Sequence, residues 1–256
     1  MKYWLILTGL IFLTACESEN AEVTAPKPKE NKVVEATDLE TKVAMHIKGQ
    51  LKITAADKFD STWFRVDLNA DGQNDYLITV NQLDRALNEA IEEDKVEKMR
   101  EIGYMGYFNH FFFVDGATEE IADGIVVPSS PMFPLEVRFE KILGTDQMDF
   151  YVDYRVRNMQ RRKFYTISQG NPREVCQAVI FDRFGTEDTE AYDVRLEQGT
   201  LNDFNDIVEY QARLEPMIIR NLDSTYYYKP TIIPFNNEVR RWHYSPSARK
   251  YYMVKN

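Results

Sequence analysis

The chain has 256 residues, 41 acidic against 31 basic, and a formal net charge of −10. That balance gives no electrostatic footprint for nucleic acid and no attraction to anionic headgroups. With 44% hydrophobic residues and two cysteines, it can fill a core and must do so without a disulfide framework.

Met1 and Lys2 lead into an almost wholly apolar run, Tyr3 to Leu13. A charged start, an apolar stretch of about 7–15 residues and small residues at its end make a secretory signal. A membrane span would need about 20 apolar residues. The run closes on Leu13-Thr14-Ala15-Cys16. This tetrapeptide resembles the lipobox of bacterial lipoproteins: an aliphatic residue, a small one, Gly or Ala, then Cys. The resemblance covers sixteen residues and implies cleavage before Cys16, with lipid on its thiol and amine. Lipid chains contribute about 0.8 kcal/mol per buried methylene, so several hold a soluble domain on a membrane. An uncut anchor is disfavoured by the short run; a secreted, unlipidated form is the other alternative. Removing residues 1–15 takes one lysine and no acid, leaving 30 basic against 41 acidic residues, net −11.

Glu17, not the aspartate associated with inner-membrane retention in enteric bacteria, follows Cys16. Glu17-Ser18-Glu19 looks like the acidic surface-export signals of some Gram-negative lipoproteins. The expected location is the bacterial outer membrane, at its periplasmic face or the cell surface. From residue 16 to 36 the chain is rich in Glu, Lys, Asn, Pro and Ala, with no aromatic residue. This reads as a disordered tether, about 20 residues with a reach on the order of 25 Å.

Residues 37–256 are expected to form a single β-rich domain. Val43–Ile53, which holds His46, is the first strand candidate. The strongest chemical signal follows: Asp67-Leu68-Asn69-Ala70-Asp71-Gly72-Gln73-Asn74-Asp75. Asp67, Asn69, Asp71 and Asp75 place oxygen side chains at positions 1, 3, 5 and 9. Gly72 supplies the sharp turn, and the Gln73 carbonyl stands at position 7. That spacing wraps hard oxygen ligands around one Ca²⁺. No Cys or His stands nearby for zinc. Ile78 stands where an EF-hand has its bidentate Glu, and Tyr76–Val80 reads as a strand. The segment resembles the loops of FG-GAP and VCBS-type β-propeller repeats, where such loops rigidify a turn and do no chemistry. It occurs once, so no repeated propeller is implied. A plain Asx-rich turn is the alternative.

Gln82 to Ile102 carries Leu83, Leu87, Ile91 and Met99 at near-helical spacing. Asn81 can cap its start and Gly103 its end, so one amphipathic helix over about 82–102 is predicted. Strand candidates fill the remainder: Phe108–Val114, Glu136–Ile142, Asp149–Arg157, Lys163–Ile167, Glu174–Phe181, Ala191–Leu196, Tyr226–Ile233, Val239–Tyr244 and Lys250–Val254. In Asp149–Arg157, Phe150, Val152, Tyr154 and Val156 share one face, the pattern of a half-buried strand. Arg161-Arg162-Lys163 reads as a solvated hairpin end. The predicted fold is mainly β, with antiparallel sheets in a sandwich or a barrel- or propeller-like arrangement and the one helix.

No catalytic residue is assigned. His46, His110 and His243 form no metal-binding spacing, and neither Gly-x-Ser-x-Gly nor a phosphate loop occurs. Cys176 sits in an apolar stretch and reads as a small buried hydrophobe. Carboxylate pairs such as Glu92-Glu93, Glu119-Glu120 and Asp149/Asp153 read as solvated charges. Tyr226-Tyr227-Tyr228, Trp242 and Tyr251-Tyr252 either fill sheet faces or form a sugar- or peptide-binding platform. The expectation is a lipid-anchored, calcium-stabilised envelope protein that binds an envelope protein or glycan, or plays a structural role. The rival readings are an extracellular hydrolase acting on glycan or peptide, and a lysozyme-inhibitor-like protein.

Overall fold

The structure, a computed structural model, describes residues 38–54, 59–218 and 222–253. The signal, Cys16 and the tether lie outside the described residues. Within these residues the chain is mainly β, in two antiparallel sheets with a sandwich-like arrangement. The smaller sheet runs β1 (Asp60–Val66), β2 (Asp75–Asn81), β3 (Asn109–Val114), β4 (Ile125–Val126) in that order. The larger takes eight strands in chain order: β5 (Glu136–Glu140), β6 (Asp149–Val156), β7 (Met159–Ser168), β8 (Asn171–Asp182), β9 (Glu190–Glu197), β10 (Asp206–Leu214), β11 (Ile232–Ser245) and β12 (Lys250–Met253).

Strand alternation sorts the apolar side chains into layers. Phe111 and Phe113 of β3 and Leu77 of β2 pack against Phe150, Val152 and Tyr165 of the larger sheet. The opposite face of the small sheet, with Ile78, Val80, Phe112 and Val114, is covered by Val43, Ile47 and Leu51. Those three belong to a helix, α1 (Asp38–Leu51), and not to the strand expected over Val43–Ile53. Val43, Ile47 and Leu51 recur every four residues, a helical period, and the β-branched type of Val43 and Ile47 obscures it.

The larger sheet also packs on itself. Tyr151, Phe164 and Cys176 of β6–β8 meet Ile207, Tyr244 and Tyr251 of β10–β12. Only two residue pairs join β8 to β9, Phe181 with Ala191 and Asp182 with Glu190. β6 is therefore buried on both faces, and its second face is not solvated as the alternation suggested. Asp153 on that face is bonded to Arg162 at 2.7 Å, and the guanidinium lies 3.8 Å from the Tyr151 ring centroid. Arg162 thus stands inside the fold, where a solvated hairpin end was expected.

The predicted helix is two: α2 (Leu83–Glu92) and α3 (Val96–Glu101). The N-cap of α2 is Gln82, with no side-chain capping bond, and not the expected Asn81, whose Oδ1 accepts the Leu83 amide at 3.0 Å as an Asx turn one residue earlier. The helix breaks at residues 93–95, with Asp94 at φ 53. Glu92, Glu93 and Asp94 set three negative charges on a helix end that already carries partial negative charge, with no base in the last turn. Gly103, at φ +66, follows α3. The strand expected over Tyr226–Ile233 is a 3-10 helix, Leu222–Tyr227, followed by the start of β11. Arg155 donates to the Thr225 carbonyl at 2.6 Å and Arg157 to the Tyr226 hydroxyl at 3.0 Å, which tie that segment down as a turn. β1, β4 and β10 have no counterpart among the expected strands.

Candidate functional site

The Asp67–Asp75 loop joins β1 to β2 and is built as a series of Asx turns. Asp67 accepts the amides of Ala70 at 2.8 Å and Gly72 at 3.0 Å. Asn69 accepts the Asp71 amide at 3.0 Å, and Asp71 accepts the Gln73 amide at 2.7 Å. Ala70 at φ 62 and Gly72 at φ 87 make the reversals. Asp75 closes the base: fully buried, it accepts the Leu68 amide at 2.8 Å and the Gly116 amide at 2.9 Å. Burial first, then the negative charges of Asp115 and Asp71, push its carboxyl above the usual range, against the two amide bonds.

Asp115 belongs to the site although the sequence reading did not name it. Asn69 Nδ2 donates to it at 3.0 Å. The signal was an Asp-Gly pair directly after an apolar strand, and the β2–β3 register, with Tyr76 opposite Val114, brings it beside the loop. Among the described residues no group of three or more His, Cys, Asp or Glu side chains is arranged to hold a metal ion. The loop oxygens here are turned toward its own amides. The donor set nonetheless suits a hard cation: each carboxylate oxygen that accepts one amide keeps a lone pair.

Cys176 packs among Phe164, Val175 and Tyr251, and burial, then the Glu209 charge, pushes its thiol up to about 12. A thiol so shielded is not a nucleophile at neutral pH. His46 lies on α1 with its ring edge toward Phe112. His110 is buried on β3, with burial and the Arg85 charge lowering its pKa to about 4.

His243 stands apart. It lines a cavity of about 570 Å³ beside Thr200, Glu238, Arg240 and Arg241. Its Nδ1 lies 3.0 Å from Oδ1 of buried Asp206. Burial opposes ionisation of Asp206, yet bonds from the Thr200 hydroxyl and amide and from Arg241 hold its carboxyl below the usual range. Arg241 also donates to Glu238 at 2.7 Å and Glu197 at 2.8 Å. Asp206 therefore orients the imidazole as a base would be oriented. The Thr200 hydroxyl donates to Asp206 at 2.9 Å and lies 3.5 Å from His243. Asp206, Thr200 and Arg241 share no motif: pairing of β10 with β11 brings Asp206 and Arg241 near each other, and the β9–β10 loop brings Thr200 to them.

No family model matches the chain, and no curated protein and no solved structure is significantly similar to it.

Proposed function

We propose that the chain is a lipid-anchored protein of the bacterial envelope, held at the outer membrane through Cys16, whose calcium-braced β domain binds a ligand or partner and does not turn over a substrate. Anchoring is supported by Leu13-Thr14-Ala15-Cys16 and the apolar run before it. Calcium is supported by the side chains of Asp67, Asn69, Asp71 and Asp75 and the Gln73 carbonyl, with Asp115 drawn beside them. Bound there, Ca²⁺ supplies positive charge and no reaction step.

The observation that carries the non-catalytic reading is the pairing around His243. Asp206, Glu197 and Glu238 are all bonded to Arg241, and the Thr200 proton is directed at Asp206. That set leaves no activated nucleophile and no carboxyl held protonated as a general acid. The hydrolase reading is favoured by one feature, the Asp206–His243 pair at the wall of a cavity. A hydrolase screen on the purified protein with glycan and peptide substrates separates the two. No turnover is expected. Turnover that disappears in His243→Ala overturns the binding role.

A further inference from the structure

A second cavity, of about 510 Å³, opens between the end of α1, α2, α3 and the start of β3. Two polar side chains in its wall are at least nine-tenths buried, Gln82 at 2% exposure and His110 at 9%. Each has a polar atom without any hydrogen-bond partner: Gln82 Nε2 and His110 Nδ1. The amide orientation is fixed, because Arg85 Nη1 donates to Gln82 Oε1 at 3.3 Å. The orphaned end is therefore the donor. A buried donor without an acceptor costs its full desolvation and is rare in folded proteins. The neighbouring Asn81–Asn109–Ser129 network, by contrast, is bonded through Asn81 Nδ2 to Asn109 at 2.9 Å and Asn109 Nδ2 to Ser129 at 2.9 Å.

The rest of the wall has a defined chemistry. Leu51, Met99, Met105, Tyr107 and Phe108 make it apolar. Tyr107 is 72% exposed, an aromatic ring left uncovered at the rim. Lys52 and Arg85 set two positive charges there against Glu89, in a chain of net charge −10. Arg85 spends Nε on Glu89 at 2.7 Å and Nη1 on the Leu51 carbonyl at 3.1 Å. Burial and the Arg85 charge keep His110 neutral, so its ring can donate through one nitrogen.

We infer that this cavity binds a small monocarboxylic acid with an apolar body, its carboxylate taken by the Gln82 amide, His110 and Arg85 and its body laid on Met99, Met105 and Tyr107. Gln82 and Arg85 are bonded to each other, and the Arg85 charge acts on His110, so these three polar groups stand together in the cavity wall. Methionine and tyrosine side chains favour an aromatic body, through sulfur–ring and ring–ring contacts. The orphaned atoms are closed to water in this conformation, so binding requires the cavity wall to shift and uncover them. The inference rests on the binding reading above. It involves neither Cys16 nor the Asp67–Asp75 loop, so anchoring and calcium can fail without affecting it.

Calorimetric titration of the full-length protein with 3-phenylpropanoate tests the site, with 3-phenylpropan-1-ol and 3-phenylpropylamine as neutral and cationic controls. Saturable binding of the carboxylate alone is expected. Gln82→Met and Arg85→Met should each weaken it about tenfold, the worth of one lost charge-assisted bond. Gln82→Met should melt no lower than the parent without ligand, since it removes an unpaired donor. No saturable carboxylate binding, equal binding of the alcohol, or unchanged affinity in Gln82→Met overturns the site. A Gln82→Met variant that melts well below the parent also overturns it, because the amide is then a structural group.

Discussion

The Gly116 amide donates to Asp75 Oδ1 at 2.9 Å, across 41 residues of chain, and ties the turn after β3 to the base of the Asp67–Asp75 loop. Position 116 admits no side chain. A Cβ there would meet the Asn74 carbonyl oxygen at 1.9 Å. Gly116→Ala must therefore push the turn off Asp75. The expected loss is about 1–3 kcal/mol, as for other overpacked sites. Urea denaturation of the variant beside the parent measures it, and an unchanged midpoint contradicts the coupling.

His110 makes stability depend on pH. Its folded pKa is lowered to about 4 from 6.5, chiefly by burial and then by Arg85, so the unfolded chain binds the extra proton between those values. Stability from this group is full above about pH 6.5 and is lost as pH falls toward 4. The full effect is on the order of 3 kcal/mol. Denaturation midpoints at pH 7 and pH 5 should fall less in His110→Leu than in the parent. Equal falls in both would assign the acid sensitivity to other groups.

Arg155 is a buried cation that bonds to carbonyls. It is 3% exposed, donates to the Arg157 and Thr225 carbonyls at 2.8 and 2.6 Å, and lies 4.5 Å from the Phe181 ring centroid. Burial lowers its pKa to about 10, so it stays charged at neutral pH. Arg155→Met keeps the stem and strands two carbonyls, for a loss of about 2–4 kcal/mol. Hydrogen exchange should rise first in Leu222–Tyr227. Exchange that rises uniformly would show that Arg155 does not pin that segment.

Much of this architecture is legible in the sequence, because alternation reports strands directly. Phe150, Val152 and Tyr154 declare β6, and Asn81, one residue before the N-cap, marks the start of α2. Alternation does not report whether the polar face is covered. Asp153 and Arg162 look solvated because each is charged, yet Asp153 is buried and Arg162 half-buried because each is the other's partner. α1 has the composition of a strand because Val43 and Ile47 favour strands by type and a helix only by spacing. The loop spacing placed Asp67, Asn69, Asp71 and Asp75 together, whereas Asp115 and the Asp206–His243 pair depend on register between distant strands. No local pattern encodes such a register.

Cys16 is the expected anchor. Cys16→Ser should abolish incorporation of labelled fatty acid and leave the precursor uncut before residue 16. Labelled palmitate retained by the variant would place the lipid elsewhere. Protease shaving of intact cells then reports whether the domain faces outward.

The most direct test of the proposed calcium site is thermal melting with and without Ca²⁺. Lacking a glutamate at the twelfth loop position, where Ile78 stands, the site should bind with Kd of about 10⁻⁴–10⁻³ M. At about a hundred times Kd the gain is about 2.7 kcal/mol, or roughly 5–10 °C for a domain of this size. Asp71→Ala should remove most of that shift. Coincident melting curves with and without saturating Ca²⁺ would contradict the account and leave Asp67–Asp75 as a turn held by its own amides.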